Sequence, residues 1–231
     1  MLVAALACVG ASELPARAQT RGNGTATRSG PSGPRFEVGG GGGALGPSAL
    51  GDADADLRAN GAQPSPYRLF SSETRLGPSA LLEARVGYRI TPRITAEARL
   101  TVGQPSLRSA LSADVEGASF VVATVATTEY VLDGGVVMRL PEIAFGRWVP
   151  FISGGAGRTR SVYDRRVLIE NGSDAYAGGG FIAALGSRRA GIAARTGLRV
   201  DVRLQVLNGG VAQDAGAVPR VVATGSVFVA F

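Results

Sequence analysis

Side chains alternate in character over the last thirteen residues of the chain, Pro219 to Phe231. Successive side chains of an extended strand point to opposite faces, so the alternation puts Val221 and Phe231 on one face and Thr224 and Ser226 on the other. The pattern predicts a terminal strand with one apolar face.

The same period of two recurs along the chain in segments of about ten residues, separated by turn residues. The clearest segment has an aliphatic face and a charged face: Leu198, Val200, Val202, Leu204 and Val206 alternate with Gly197, Arg199, Asp201, Arg203 and Gln205. Eight strands are predicted in this way, over residues 35–44, 81–90, 94–103, 127–140, 148–160, 176–186, 197–206 and 219–231.

The links between the predicted strands alternate in length. Long or medium links cover 45–80, 104–126, 161–175 and 207–218, and short links cover 91–93, 141–147 and 187–190. Extracellular loops and periplasmic turns alternate in this way in transmembrane barrels, and an even number of strands returns both termini to the same side. The sequence therefore predicts an all-β fold, an eight-stranded antiparallel transmembrane β-barrel.

Two local features accompany the first long link. The glycine run Gly39 to Gly43 lacks the residues of a phosphate-binding loop, so we interpret it as close strand packing or a bend at a barrel corner. The hexapeptide Leu-Gly-Pro-Ser-Ala-Leu occurs twice, at Leu45 to Leu50 and at Leu76 to Leu81. The repeat indicates two similar strand exits, and no further physical reason for it follows from the sequence.

Three regions are predicted along the chain. Residues 1–18 are typical of a secretory signal peptide, because an apolar stretch precedes the small-x-small sequence Ala16-Arg17-Ala18. Residues 19–34 are rich in Gly, Ser, Thr and Pro and predict a disordered leader. Residues 35–231 form the predicted barrel, and no apolar run approaches the roughly 18 residues of a membrane-spanning helix.

Composition argues against several classes of function. The chain contains no histidine, and its 24 basic residues are all arginine. Its single cysteine, Cys8, lies in the predicted signal peptide, so we expect no disulfide and no thiol chemistry in the mature chain. The net charge is +6, but the arginines are dispersed and rarely stand among aromatic residues, so nucleic acid is not an expected partner.

No metal site or cofactor is predicted. Asp52, Asp54 and Asp56 have the spacing that begins a calcium-binding loop. Leu57 and Gln63 occupy the positions at which that loop needs glycine and a bidentate glutamate, so an acidic, solvated loop tip is the better interpretation.

Two segments resemble strands of a known family. Val149-Pro150-Phe151-Ile152-Ser153-Gly154-Gly155-Ala156-Gly157 and Gly197-Leu198-Arg199-Val200-Asp201-Val202-Arg203 are similar to the fifth and seventh strands of small bacterial outer-membrane β-barrel proteins of the OmpA/OmpX type. The likeness extends over residues 35–231 and implies a location in the bacterial cell outer membrane.

The resemblance also implies partners. Outer-membrane lipid and lipopolysaccharide would surround the barrel, and the barrel-assembly machinery would read a signal that includes Phe231. Barrel enzymes of related families use a catalytic histidine, which this chain lacks. The resemblance carries over no catalytic residue and no ligand, so we expect a protein that is not an enzyme.

Charged residues occupy the polar face of at least four predicted strands. In an eight-stranded barrel that face lines a narrow interior filled by side chains, where charges of opposite sign must pair. The predicted lumen ion-pair network consists of Glu83, Arg85, Arg89, Glu97, Arg99, Glu129, Asp133, Arg139, Arg199, Asp201 and Arg203.

A lipopolysaccharide contact is predicted on the fifth strand. Trp148 fits an interfacial residue at the periplasmic boundary, and a strand that spans the membrane takes about ten residues, so Arg158 and Arg160 would reach the opposite boundary facing outward. Arg165 and Arg166 would extend this cluster along the next loop. Arginine binds phosphate bidentately, whereas the alternative is a strand that simply ends in solvent.

The expected function is a structural or surface-interaction role, in which the extracellular loops bind an unknown extracellular ligand. One alternative is a small pore or a transport barrel for a small or apolar solute. Another is a soluble periplasmic barrel of the lipocalin type, which would have a polar outside and an apolar inside.

Overall fold

A computed structural model describes residues 34–57, 67–112, 122–163, 168–185, 196–209 and 216–231. The predicted signal peptide and all of the predicted leader except Pro34 lie outside these residues, as do Arg165 and Arg166. None of the helical segments in the described residues is long and apolar enough to cross a membrane.

Strands make up most of the described chain. Their bounds are β1 Phe36–Leu45, β2 Ser48–Leu57, β3 Tyr67–Leu76, β4 Ser79–Arg89, β5 Ile94–Gly103, β6 Ser106–Ser112, β7 Val122–Arg139, β8 Trp148–Tyr163, β9 Leu168–Ala184, β10 Thr196–Gly209 and β11 Val218–Ala230. A single-turn 3₁₀ helix, Pro141–Ile143, lies between β7 and β8.

Eight of these strands close into an antiparallel barrel, which confirms the predicted fold. The order around the barrel is β1, β4, β5, β7, β8, β9, β10 and β11, and β11 pairs again with β1. The first and last strands are also joined by backbone hydrogen bonds in both directions between Phe36 and Phe231. Both ends of the barrel sequence therefore lie on the same side, which is the periplasmic side by the loop lengths.

The predicted loop at residues 45–80 is wrong, because this segment contains β2 and β3. The predicted loop at 104–126 likewise contains β6 and the start of β7. β2 pairs with β3, β3 with β6, and β6 with the start of β7, so a sheet continues the barrel wall on the extracellular side. We call β2, β3 and β6 the extracellular extension. Their many Ser and Asp residues are typical of turns, which hid the strand pattern.

A glycine-proline or glutamine-proline pair separates three barrel strands, β1, β4 and β5, from the strands that continue them, whereas β7 runs on without a break. Gly46-Pro47 follows β1, Gly77-Pro78 precedes β4, and Gln104-Pro105 follows β5. Proline has no backbone N–H to donate to a ladder, so the strand is interrupted there. The two copies of the repeated hexapeptide lie side by side across this interruption, with Leu45 opposite Ser79 and Ser48 opposite Leu76.

The outer wall of the barrel is apolar. Leu82, Leu132 and Val202 are each more than half exposed and face outward. Exposed aromatic residues gather at the periplasmic edge, namely Phe36, Tyr88, Phe145, Phe181 and Phe231. An apolar band with an aromatic girdle is typical of a transmembrane barrel, and a lipocalin-type barrel would have a polar outer wall. The lipocalin alternative is therefore wrong.

The interior is layered along the barrel axis. Charged side chains fill the middle, and an apolar cluster lies below them toward the periplasmic end: Val137, Phe151, Ile182 and Phe228. Two further clusters lie above the charges, one of Leu45, Leu81 and Val222 and one of Leu50, Leu76, Leu207 and Val218. The uppermost cluster includes residues of the extracellular extension, so the extension also covers the open end of the barrel.

Candidate functional site

The centre of the barrel interior is a buried network of arginines and carboxylates. Glu97 on β5 accepts hydrogen bonds from Arg85, Arg99 and Arg199, at 3.3, 2.7 and 2.5 Å. Arg199 also donates to Asp201 at 2.8 Å. These side chains come from β4, β5 and β10 and are almost fully buried, so the polar faces of three strands meet at one carboxylate.

A second group of contacts lies above this centre. Arg203 donates to Glu83 at 2.7 Å, and Arg99 lies 3.6 Å from Glu83 and 3.8 Å from Asp133. Arg220 on β11 makes a bidentate contact with Glu129 on β7. A bidentate contact fixes the orientation of both planar groups, so it joins opposite parts of the barrel rigidly.

A third group lies at the periplasmic mouth. Arg89 donates to Glu37 at 2.5 Å, and Arg139 contacts the same carboxylate oxygen of Glu37. Both arginines are partly exposed, unlike the arginines of the centre. The structure thus places all eleven residues of the predicted lumen network inside the barrel, where they form three neighbouring groups.

Sequence reasoning missed several members of the network, namely Glu37, Asp174, Gln205 and Arg220. Gln205 donates to Asp174 at 2.8 Å and accepts from Arg220 at 2.9 Å, which links these residues to Glu129. Gln205 stands in the same phase as the predicted Arg199, Asp201 and Arg203, and Arg220 lies on the polar face of the terminal strand with Thr224 and Ser226, so the alternation was the available signal. Asp174 lies in a segment predicted as a loop.

Aromatic rings pack against the buried arginines. The Arg199 guanidinium carbon lies 4.3 Å from the ring centre of Phe151, and that of Arg99 lies 4.9 Å from the ring of Tyr176. Cation–π contacts of this kind are strongest where water is excluded. The rings therefore stabilise the charges and also occupy the lumen.

Inward glycines make room for these large side chains. A Cβ atom at Gly135 would lie 2.3 Å from the hydroxyl oxygen of Tyr176, and one at Gly155 would lie 2.8 Å from it. At Gly178 a Cβ would lie 2.8 Å from Cγ of Arg203. The inward and outward faces of the glycine-rich strands β8 and β9 could not be assigned from the sequence. These strands are rich in glycine because the large side chains of Tyr176 and Arg203 pack against them.

The middle of the network leaves little free volume, whereas a pocket of about 320 Å³ lies beside Arg89 and Arg139 at the periplasmic mouth. A cavity of about 10 Å³ beside Asp133, Tyr176 and Arg203 has room for roughly one water molecule. The charged side chains lie between two apolar layers, with Phe151 and Val137 below them and Leu45 and Leu81 above them. All four of these apolar side chains are nearly fully buried. Within the part of the chain that the structure describes, the charged layer is therefore enclosed between apolar layers.

The acidic residues of the first link belong to a strand. Asp54 and Asp56 on β2 both contact Arg68 on β3, at 2.6 and 3.8 Å, and all three are exposed. Among the described residues no cluster of three or more His, Cys, Asp or Glu side chains has the geometry of a metal site. The prediction that these aspartates lie at a loop tip is wrong, since they alternate along an extended strand.

The arginines of the predicted lipid contact lie on the outer wall. Phe151 and Ser153 of β8 are buried in the interior, whereas Ile152, Arg158 and Arg160 are exposed on the opposite face. Cross-strand neighbours of Arg160 are Tyr130 and Asn171. Arg165 and Arg166, the other two members of the predicted cluster, lie outside the described residues.

No protein-family model matches the chain, and no curated protein sequence matches it. Among solved structures, the crystal structure of Neisserial surface protein A (NspA) is similar, with a TM-score of 0.50 and 10% identity over 85% of this chain and 96% of that chain. The outer membrane protein AlkL in DMPC lipid bilayers gives a TM-score of 0.43 and 16% identity over 92% and 97% of the two chains. The outer membrane protease OmpT from Escherichia coli gives 0.44 and 5% identity over 87% and 98%.

At 10% identity the likeness to NspA concerns the fold alone. It agrees with the barrel closure, the apolar outer wall and the aromatic girdle described above. The chain therefore has the fold of a small outer-membrane β-barrel protein, and its location is the bacterial outer membrane.

Proposed function

We propose that the protein is a non-enzymatic, non-conducting barrel that presents a surface for interaction outside the cell. The observation that carries this proposal is the enclosed charged layer. An ion that enters the barrel would have to pass between Phe151 and Ile182 and then between arginines and carboxylates that are already paired. Breaking buried ion pairs is costly, so the lumen is not a path for solutes.

The state of the buried carboxylates supports the absence of enzymatic activity. A general acid or base must reach its substrate and exchange a proton with it. Glu83, Glu97 and Glu129 are each held by at least one arginine and are buried beneath the upper apolar clusters. They act as structural anions that fix the positions of the strands.

The extracellular extension supports the surface role. β2 is the edge strand of its sheet, and Asp52, Asp54 and Asp56 stand exposed along it. Such an edge presents ordered backbone groups, and its three aspartates outnumber Arg68, which contacts two of them, so an excess of negative charge remains for a partner with basic groups. A rigid sheet needs less ordering on binding than a disordered loop does.

Conductance across a planar lipid bilayer tests the closed lumen. We expect the folded wild-type barrel to give no unit conductance steps, while a general porin inserted under the same conditions gives them. Heat-modifiable migration of the same preparation in gel electrophoresis shows that the barrel is folded. Reproducible unit steps from folded protein would contradict the proposal and support the alternative of a small pore.

A further inference from the structure

The lipid-facing wall of the barrel carries almost no charge. Among the described residues of the eight barrel strands, the outward-facing charged side chains are Arg158 and Arg160, both on β8. Neither forms an ion pair with a described residue, although nearly every arginine inside the barrel is paired. Two cations of the same sign stand two residues apart on one exposed face without a carboxylate partner among the described residues, so they can bind an external anion.

The height of these arginines identifies the environment. Trp148 begins β8 at the periplasmic edge, and Arg158 follows ten residues later. A strand rises about 3.3 Å per residue and tilts by about 40°, so Arg158 stands about 25 Å above Trp148. The apolar band of an outer-membrane barrel has about this height, so Arg158 and Arg160 lie at the level of the lipid headgroups in the outer leaflet.

A groove on the outer wall begins at the same level. The ladder between β5 and β7 ends where Gly103 stands opposite Glu129, and the ladder between β6 and β7 begins where Ser106 stands opposite Ala126. The interruption at Pro105 leaves a depression of about 910 Å³ between these strands and the ends of β8 and β9. Its lining includes Gln104, Ser106, Thr128, Tyr130, Arg160 and Val162.

The lining combines apolar side chains such as Val162 and Ile169 with polar groups that can bind a sugar. Thr128, Ser106 and Gln104 supply hydroxyl and amide groups, and Tyr130 supplies an exposed aromatic ring with a phenol. The volume falls within the range of ordinary small-molecule sites. The wall below the arginines is purely apolar, with Leu132 and Leu100 exposed to the hydrocarbon.

We propose that β7, β8 and the groove at Pro105 bind a phosphorylated glycolipid of the outer leaflet, of the lipopolysaccharide type. Its acyl chains lie along the wall at Leu132, its phosphates contact Arg158 and Arg160, and its sugars occupy the groove beside Tyr130. In such a lipid the acyl chains and the phosphates are both attached to the sugar headgroup, which agrees with arginines and a groove that lie at one level above an apolar wall. It does not depend on whether the lumen conducts.

Titration of the folded barrel in detergent micelles with purified lipopolysaccharide tests the site. We expect saturable binding by the wild type and about tenfold weaker binding for each of Arg158→Ala and Arg160→Ala, since a hydrogen bond to a charged group contributes about 1.5–3 kcal/mol. Arg93→Ala is the control, because Arg93 is an exposed arginine in the turn between β4 and β5, at the opposite, periplasmic edge of the barrel. That variant should bind as the wild type does.

Three further measurements identify the part of the lipid that is bound. The wild type should bind dephosphorylated lipopolysaccharide weakly, with the affinity that the double variant Arg158→Ala, Arg160→Ala has for intact lipopolysaccharide. Inorganic phosphate should not compete with lipopolysaccharide for the wild type. Tyr130→Ala should weaken binding further without changing the dependence on phosphate. Equal affinities of wild type and double variant, with both folded by heat-modifiable migration, would overturn the proposal, and so would binding that inorganic phosphate abolishes.

Discussion

Arg203 reaches across the barrel interior to Glu83, and Nη2 of the arginine lies 2.7 Å from Oε2 of the glutamate. Their strands, β10 and β4, are separated in the barrel by β11 and β1. The inward positions of β1 between them are occupied by glycine, so no side chain of this strand blocks the contact. The glycine run therefore allows close packing of β1 against β11 and lies between the two strands that form this ion pair.

Replacing Arg203 by alanine should destabilise the barrel strongly. Glu83 would keep only the more distant Arg99, whose Nε lies 3.6 Å away, and a buried carboxylate would lose its main partner. We expect the free energy of unfolding to fall by about 3 kcal/mol, as is usual when one partner of a buried ion pair is removed. Urea titration of the barrel in lipid vesicles measures this change.

Two controls accompany this substitution. Arg75→Ala removes an exposed arginine paired with Glu73, and exposed pairs contribute little, so its urea midpoint should match the wild type. The double variant Arg203→Leu, Glu83→Leu removes both charges and should recover much of the loss. Equal midpoints for Arg203→Ala and Arg75→Ala would mean that the Arg203 contact does not stabilise the barrel.

Two adjacent glycines should respond differently to alanine. A Cβ at Gly135 would lie 2.3 Å from the Tyr176 hydroxyl and 2.5 Å from the carbonyl oxygen of Gly154, whereas one at Gly134 meets nothing within 4 Å. Gly135→Ala should therefore lower the free energy of unfolding by about 1–3 kcal/mol, the usual cost of overpacking. Gly134→Ala should leave it unchanged or raise it slightly.

Removal of the Tyr176 hydroxyl tests the physical cause of this difference. Gly135→Ala combined with Tyr176→Phe should recover part of the loss, because one of the two close contacts disappears. Recovery should be incomplete, since the contact with the Gly154 carbonyl remains. If Gly134→Ala and Gly135→Ala unfold at the same urea concentration, the inward packing described for β7 is wrong.

Phe231 is predicted to form part of the assembly signal. Its ring is exposed, while its backbone exchanges hydrogen bonds with Phe36 at 2.8 and 3.3 Å. Phe231→Ala keeps these backbone bonds and removes the ring, whereas deletion of Phe231 removes both. If the ring is the recognised feature, both variants should be secreted normally and should give less folded protein in the outer membrane.

Phe231→Tyr keeps an aromatic ring and serves as the matched control. It should reach the wild-type amount of folded protein, measured as the heat-modifiable fraction in isolated outer membranes. The deletion could instead act through the backbone pairing between β1 and β11. In that case Phe231→Ala would give a normal amount of folded protein and the deletion a low amount, and recognition of the ring would be excluded.

The extracellular hairpin of β2 and β3 should be dispensable for barrel folding. Leu45 and Ser79 stand directly opposite each other, so an Asn-Gly turn can replace residues 46–78 and connect β1 to β4. We expect this variant to fold and to show heat-modifiable migration, with a lower melting temperature because Leu50 and Leu76 leave the upper apolar cluster. Failure to fold under conditions that refold the wild type would show that the hairpin is required for barrel formation.

The inward-facing residues were predicted correctly on strands whose two faces differ clearly in polarity. On β4 and β10 several charged residues stand at alternate positions, so Arg85 and Arg199 were assigned to the lumen from the alternation alone. Glu37 was missed because it stands beside a glycine run whose two faces look alike. A face made of glycine has no polarity, and only the side chains that pack against it show which way it points.

The extracellular extension was missed for a different reason. Its strands lie outside the membrane, so neither face needs to be uniformly apolar, and β2 has Asp at alternate positions with Gly and Ala between them. Contacts between strands far apart in the chain are also invisible to local periodicity. The pairing of Arg220 with Glu129, 91 residues apart, is such a contact.

The paired interruptions at Pro47 and Pro78 limit how far an error in strand alignment can travel. Between β2 and β3 the pairing shifts twice, at Ala49/Gly51 and at Ala55/Asp56, whereas β1 and β4 pair without a shift. A slip of one residue turns every following side chain to the opposite face, which in the membrane would put Glu83 into hydrocarbon. Because the strands are broken at the same height, residues can be inserted or deleted in the exposed hairpin during evolution while the inside and outside of the spanning wall stay the same.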